Sequence, residues 1–289
     1  MRAVPHPMHP ADTAHPLSQP QSPPPLTRGH WWWLAGTGTA VVLALGGWVA
    51  WEMRPPPKPA EAFVFRDDFE GVTKTEDLFP ADRSRWSGVQ CESGSGTKAN
   101  IVTLTSERSH SGRNALKCVA EPFDGKTASK ADIERGGLRF VKGDHVWFKG
   151  WFWVAGGTDA SLAFLWDLET TSLRNSPGRR LFLQDGEVFA SDLGKWWTGK
   201  SFRQNRGAEV KFPKDRWVEV KIHLLLSEGR DGRMEVWQDG VKVLDSTGKT
   251  LPRARTVYDR LQIGLTANGG RNSKQTLFVD DVVLSNRPL

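Results

Sequence analysis

The sequence predicts an all-β fold, a sandwich of two antiparallel sheets, preceded by one transmembrane helix. Three observations predict it. Residues 62–289 fall into short alternating runs separated by Gly, Pro, Asn and Asp, the sequence signature of strands joined by turns. No long stretch of that region has helical periodicity. Residues 31–51 carry no charged side chain, and a helix needs about 20 such positions to cross a bilayer core.

Residues 1–30 are rich in proline, histidine and small polar groups, with too little apolar surface to offset their ordering entropy, so they read as a disordered tail. In residues 31–51, Trp31, Trp32 and Trp33 at one end and Trp48 and Trp51 at the other set indoles at both interfaces. A small-x-small cleavage site fails because Trp48 stands two positions before Ala50, so the segment reads as an uncleaved signal anchor. Residues 52–61, with Pro55, Pro56, Pro57 and Pro59, form a stiff linker. The flanking Arg2 and Arg28 balance Arg54 and Lys58, so basic charge does not orient the anchor. The two cysteines, Cys91 and Cys118, suit one disulfide better than a zinc site, with a pair of free thiols as the alternative. A disulfide would place the domain outside the cytoplasm, periplasmic or at the cell surface.

Within the domain, alternation predicts strands at 63–69, 100–106, 114–120, 130–135, 145–154, 161–168, 180–184, 187–191, 217–226, 233–238, 241–244, 260–266 and 276–284. Asp185-Gly186 and Asp239-Gly240 predict two-residue hairpin turns. Period-two alternation then sorts the faces. Val146, Phe148, Phe152 and Val154 oppose Trp147, Lys149, Trp151 and Trp153. Val218, Val220 and Ile222 oppose Glu219, Lys221 and His223. Leu165 and Asp167 oppose Trp166 and Leu168, and Gln262 and Thr266 oppose Ile263 and Leu265. Aromatic, charged and amide groups sharing a face suit a sugar trough: indoles stack on pyranose rings while amides and charges bond the hydroxyls and any carboxylate. The expected substrate-binding residues are Trp147, Lys149, Trp151, Trp153, Asp167, Lys221 and Gln262, and core packing is the competing reading for each indole.

From residue 62 onward, 35 basic against 30 acidic residues leave a net charge of +5. That is compatible with an acidic polysaccharide partner, while the absence of a basic helix or basic-aromatic motif argues against nucleic acid. No cofactor is required. Asp67 and Asp68 near the first strand, with Asp280 and Asp281 near the last, form a candidate calcium site if the terminal strands meet.

Several stretches resemble a known family. They are Lys130-Ala-Asp-Ile-Glu134-Arg135, the run from Gly143 to Val154, and Arg216-Trp-Val-Glu-Val-Lys-Ile-His223. Asp231 to Gly240, Tyr258-Asp-Arg-Leu-Gln-Ile-Gly-Leu265 and Phe278-Val-Asp-Asp-Val-Val-Leu284 continue the pattern. Together they resemble the concanavalin-like jelly-roll polysaccharide lyases of the alginate, glucuronan and heparin lyase type. The resemblance implies a jelly-roll sandwich and β-elimination on uronic-acid polymers. In such lyases an arginine, asparagine or glutamine neutralises the carboxylate, and a tyrosine, often with a histidine, moves the proton. The tyrosine falls shortly after the glycine of a late strand, where this chain has Thr266. His223, Tyr258 and Arg135 are then the candidate catalytic residues, Tyr258 being the only tyrosine. A laminarinase-type hydrolase on the same fold would need a carboxylate at Leu165, ahead of Asp167 and Glu169.

Three functions follow as expectations: a membrane-anchored extracytoplasmic glycan-binding domain, a polysaccharide lyase, or a structural, partner-binding envelope sandwich.

Overall fold

A computed structural model describes residues 62–93, 100–157, 161–172, 178–190 and 202–289. The tail, the predicted anchor and the linker all lie outside the described residues. Among the described residues fourteen strands form two antiparallel sheets, and the one short helix is a 3-10 turn at Thr75–Leu78. In chain order the strands are β1 (Val64–Asp67), β2 (Gly88–Gln90), β3 (Ile101–Thr105), β4 (Ala115–Ala120), β5 (Ser129–Arg135), β6 (His145–Val154) and β7 (Leu162–Glu169). There follow β8 (Arg179–Gln184), β9 (Glu187–Ala190), β10 (Trp217–Leu225), β11 (Arg233–Gln238), β12 (Val241–Thr247), β13 (Arg260–Asn268) and β14 (Gln275–Ser285). All thirteen predicted strands are present within a few residues, and β2 is added to them.

The eight-stranded sheet runs β12-β11-β10-β6-β14-β4-β3, with β1 also paired to β14. The six-stranded sheet runs β2-β5-β13-β7-β8-β9. Residues of both β-turn dipeptides have positive φ, Asp185 (52°) with Gly186 (78°) and Asp239 (49°) with Gly240 (78°). That is the twist-compatible hairpin turn the Asp-Gly pairs predict.

The core lies between the sheets. From the larger sheet it takes Val146, Phe148, Phe152, Val218, Val220, Ile222 and Val279. Ile133, Trp166, Leu168, Leu181, Leu261 and Ile263 meet them from the smaller one. Phe148 and Trp166 touch across the layers with ring centroids 5.9 Å apart. Each such fully buried side chain contributes about 1.5–3 kcal/mol. Gly150 makes room for its neighbours: a Cβ there would come within 3.1 Å of Phe148 and 3.3 Å of Phe152.

Two irregularities break the period-two reading. In β7 the pairing with β8 shifts between Phe164 and Trp166. Leu165 occupies the bulge and packs in the core together with Trp166, so Leu165 does not share a face with Asp167. Phe164 turns outward instead and stacks on Phe182, which stacks on Phe189. In β13 the pairing shifts on both sides between Ile263 and Asn268. Gly264 enters that stretch at φ +117°, where a Cβ would lie 2.8 Å from both the Ala131 carbonyl oxygen and Cys118 Sγ. Only glycine meets both demands.

The cysteine expectation is corrected. Cys91 and Cys118 are both free thiols. Cys118 faces the core from β4, while Cys91 sits just past β2 at the edge of the other sheet, exposed. Burial pushes the Cys118 thiol far above its usual range. The disulfide therefore gives no support to an oxidising compartment.

Candidate functional site

The predicted site residues divide among three places. Trp147, Lys149, Trp151, Trp153, Lys221 and His223 stand on the outer face of the eight-stranded sheet, in register across β6 and β10. Asp167 and Gln262 are paired neighbours on the outer face of the six-stranded sheet. Tyr258 and Arg135 belong to neither face. Tyr258 is fully buried just before β13, and its hydroxyl donates to the Thr250 carbonyl at 2.8 Å. Burial raises its phenol well above the usual range. Arg135 closes the end of β5, donating to the Arg83 and Arg85 carbonyls and lying over the Phe65 ring at 4.7 Å. His223, Tyr258, Arg135 and Gln262 do not converge, so the catalytic set expected from the sequence is not assembled.

On the eight-stranded sheet the ring faces are covered by other side chains of the domain, while the Trp147 and Trp153 indole N–H groups and Arg108 Nε are buried without a hydrogen-bond partner. Trp147, Trp151 and Trp153 are half-buried, and one ring face of each is taken by another side chain of the domain. His110 stacks on Trp151 at 3.7 Å, Arg108 lies over Trp153 at 4.4 Å, and His223 stacks on Trp147 at 4.1 Å. Lys221 sits over Trp237 at 4.7 Å. His223 is fixed at both nitrogens: Nδ1 meets Glu235 Oε2 at 2.8 Å and Nε2 meets His145 Nδ1 at 2.8 Å. Burial lowers the His223 pKa, outweighing the support it draws from Glu235. Glu235 is also held by Lys242 at 2.6 Å and Arg233 at 3.1 Å. Both ring nitrogens of His223 are therefore engaged within the protein.

The candidate calcium acids do approach one another, because β1 pairs with β14 and sets Asp67 opposite Val282. Asp67, Asp68 and Asp281 line a groove of about 700 Å³ with His110, Lys149 and Trp151. Their oxygens, however, serve the protein's own donors. Asp67 takes the Arg85 guanidinium and the Trp86 indole N–H, and Asp68 takes the Glu70 amide. Asp280 accepts the amides of His110 and Ser111, while Asp281 pairs with the His110 ring and the Ser111 hydroxyl. Burial raises Asp280 to about 6 against those amide bonds. Among the described residues no group of three or more His, Cys, Asp or Glu side chains is arranged to hold a metal, which corrects the calcium expectation.

The outer face of the six-stranded sheet is different in kind. Register lays one row across five strands: Gly88, Glu134, Gln262, Asp167 and Arg180. Glu134 Oε1 collects Gln90 Nε2, Gln262 Nε2 at 2.7 Å and the Arg260 guanidinium at 3.1 Å. Arg260 reaches Glu169 as well, and Arg180 pairs with Asp167. Lys130 Nζ donates to Gln90 Oε1 at 2.8 Å. Beside the row, Asp132 is fully buried and neither of its oxygens has a hydrogen-bond partner. Asp167 Oδ1 and Gln262 Oε1 are likewise buried and unpartnered. Each such acceptor left unmade costs about 1–3 kcal/mol. Burial drives the Asp132 carboxyl well up, helped by the negative charges of Glu134, Asp167 and Glu169 and opposed by Lys130. Asp167 is pushed the same way by burial, against the pull of Arg180.

Unmet acceptors concentrated on one face are a functional signal, since a fold selected for stability alone pairs its buried polar groups. The sequence reading found Asp167 and Gln262 but missed Asp132, Glu134, Glu169 and Arg260. The signal was present: Lys130, Asp132 and Glu134 alternate with Ala131 and Ile133. Thr266, also fully buried with an unpartnered hydroxyl, lies in the irregular stretch of β13.

Comparison with known proteins follows this geometry. The structure is similar to an endo-β-1,4-glucuronan lyase from the fungus Trichoderma reesei, with a TM-score of 0.56 at 12% identity over 79% of this chain and 95% of that one. It is similar to the cellulose-induced protein Cip1, with a TM-score of 0.55 at 16% identity over 78% and 98%. The alginate lyase Aly36B follows, with a TM-score of 0.50 at 12% identity over 78% and 97%. At these identities the likeness establishes the jelly-roll sandwich and no more. No curated protein matches the chain in sequence. Residues 80–283 match the polysaccharide lyase family, a span well over half the chain. The chain belongs to the polysaccharide lyase family.

Proposed function

We propose that this chain is a membrane-anchored, extracytoplasmic domain that binds polysaccharide on the outer face of its six-stranded sheet. Family membership supports a polysaccharide as the ligand. The row from Glu134 to Arg180, with unpartnered acceptors at Asp132, Asp167 and Gln262, supports the place. The uncharged segment 31–51 supports the anchor.

One observation favours binding over cleavage. The Tyr258 hydroxyl is committed to the Thr250 carbonyl in the interior, and His223 stands on the other sheet bonded at both ring nitrogens. Among the described residues, no tyrosine or histidine reaches the polar row to move a proton there. A second reading, β-elimination, draws on family membership and predicts unsaturated uronate products.

Incubating the purified full-length chain with a polysaccharide panel that includes alginate and glucuronan separates the two. Saturable retention with no new ultraviolet chromophore is expected. A growing chromophore would establish the lyase, and no retention on any polymer would overturn both. Membrane fractionation with protease added from outside tests the anchor: the chain should pellet with membranes and its domain should be cut only from the outer side.

A further inference from the structure

Among the carboxyls in and beside the polar row of the six-stranded sheet, one stands apart. Glu134 holds Gln90, Gln262 and Arg260, Glu169 holds Arg260, and Asp167 holds Arg180. Asp132 is fully buried, and neither of its oxygens holds anything. Register explains why. Gly264 lies opposite it on β13 and brings no side chain, while Gln90 lies opposite it on β2. Gln90 donates to Glu134 and accepts from Lys130, so the groups around Asp132 are bonded to one another and not to it.

A carboxylate ionised in such a place has neither water nor a donor to hold its charge, so the protonated form is favoured. The charges around it point the same way. Asp132, Glu134, Asp167 and Glu169 face Lys130, Arg180 and Arg260, which leaves one negative charge over when all are ionised. A proton on Asp132 removes that excess. Cys91, just past β2, and Cys118 on β4 also lie within reach of its charge, and burial raises both thiols, so neither adds to the balance. An acidic sugar segment laid across this row brings further negative charge. Near a buried group that charge is poorly screened, and it favours the proton on Asp132 still more. Arg260 Nε, buried without a partner, offers such a segment a donor beside the row.

Resting on the glycan-binding reading above, we propose that acidic polysaccharide binds this face together with a proton carried by Asp132, so that the domain captures such polymers in acid and releases them as pH rises. The upward shift of the Asp132 carboxyl, driven by burial and opposed by Lys130, agrees with this. Asp132 ionises at one pH in the free protein and at a higher one in the complex. Between the two, affinity falls by up to about tenfold per pH unit, and on either side it is level.

The test is the Kd of the full-length chain in detergent for alginate and for glucuronan, at fixed ionic strength from about pH 5 to about pH 9, where exposed sugar carboxylates stay ionised and any slope belongs to the protein. Parent affinity should fall across this range, and calorimetry in two buffers of different ionisation enthalpy should record proton uptake on binding. Asp132→Asn, neutral at every pH, should lose the slope and bind about tenfold more tightly than the parent at the alkaline end. Should that variant not fold, Lys130→Gln serves: without the ammonium that favours the ionised form, the fall should move to higher pH. Affinity level with pH and no proton uptake would overturn this inference and leave glycan binding standing. A slope that survives in Asp132→Asn, or a fall that does not move upward in Lys130→Gln, would overturn it by assigning the proton to another group. Failure of both polymers at every pH would overturn it too, and failure of the wider polysaccharide panel would take the glycan-binding reading with it.

Discussion

The outer faces of the two sheets divide the polar and aromatic groups of this domain in opposite ways. On the eight-stranded sheet the large aromatic side chains are half-exposed, and each has found a partner: His110 on Trp151, Arg108 on Trp153, Lys221 on Trp237. On the six-stranded sheet the groups are more deeply buried, yet several polar atoms have none. Richness in tryptophan draws attention to the first face. The kind of unmet group is the better pointer. The first face leaves the Trp147 and Trp153 indole N–H groups and Arg108 Nε without partners. The second buries carboxylate and amide oxygens without them, groups with a larger energetic reason to meet a ligand.

The sharpest way to break this contrast is to remove a ring from each face. Phe182→Ala, in the buried stack with Phe164 and Phe189, should cost about 3–5 kcal/mol in urea denaturation. Trp151→Ala should cost about 1 kcal/mol, since its ring is half-exposed. Equal losses would erase the distinction in burial.

Asp132→Asn probes the incompleteness itself. The folded Asp132 carboxyl is raised, so its contribution to stability is fully present below the unfolded value of about 3.9 and is lost as pH rises through the folded value. The variant should therefore be more stable than the parent by about 1–3 kcal/mol at pH 8, with the gain vanishing near pH 3. Melting curves across that range would expose a flat difference, which would mean Asp132 is paired after all.

On the other face, Glu235→Gln should cost about 1 kcal/mol by loosening the bonds to His223, Lys242 and Arg233. Proton NMR should place His223 below its ordinary 6.5 in the parent, and lower still in the variant, because the carboxylate that supports the charged ring is gone. A rise would contradict the pairing. The smallest effect belongs to Lys221→Ala, within about 0.5 kcal/mol, since its ammonium is a surface group over Trp237.

Much of this architecture was legible in the sequence, for a simple reason. Alternation in Val146-Trp-Phe-Lys and Val218-Glu-Val-Lys encodes faces directly, and the Asp-Gly pairs encode turns. Strand β2 was not, because three residues at a sheet edge carry too little pattern. The bulge at Leu165 was not either. One extra residue reverses the phase of everything before it, and Phe164 consequently points away from the core. The site was half legible. Asp167 and Gln262 were found, but alternation says which side of a strand a residue faces and not which sheet the strand joins. Groups on opposite sides of the sandwich were therefore pooled into one trough. The expected bond between Cys91 and Cys118 rested on there being just two cysteines, and a count does not say where the fold places them.

The pairing of β1 with β14 has a mechanical consequence. The first strand lies along the last, Val64 against Ser285 through Asp67 against Val282, and Asn286 clasps Phe63 through amide and side chain. Any tension carried along the chain from residues before Phe63 enters the domain through this short ladder. A pull along the strand axis loads its bonds together in shear, and β14 passes the load to β6 at the centre of the eight-stranded sheet. The candidate glycan face belongs to the other sheet, away from the load path. A tethered domain built this way can be tugged at its root without its binding surface being pulled out of shape.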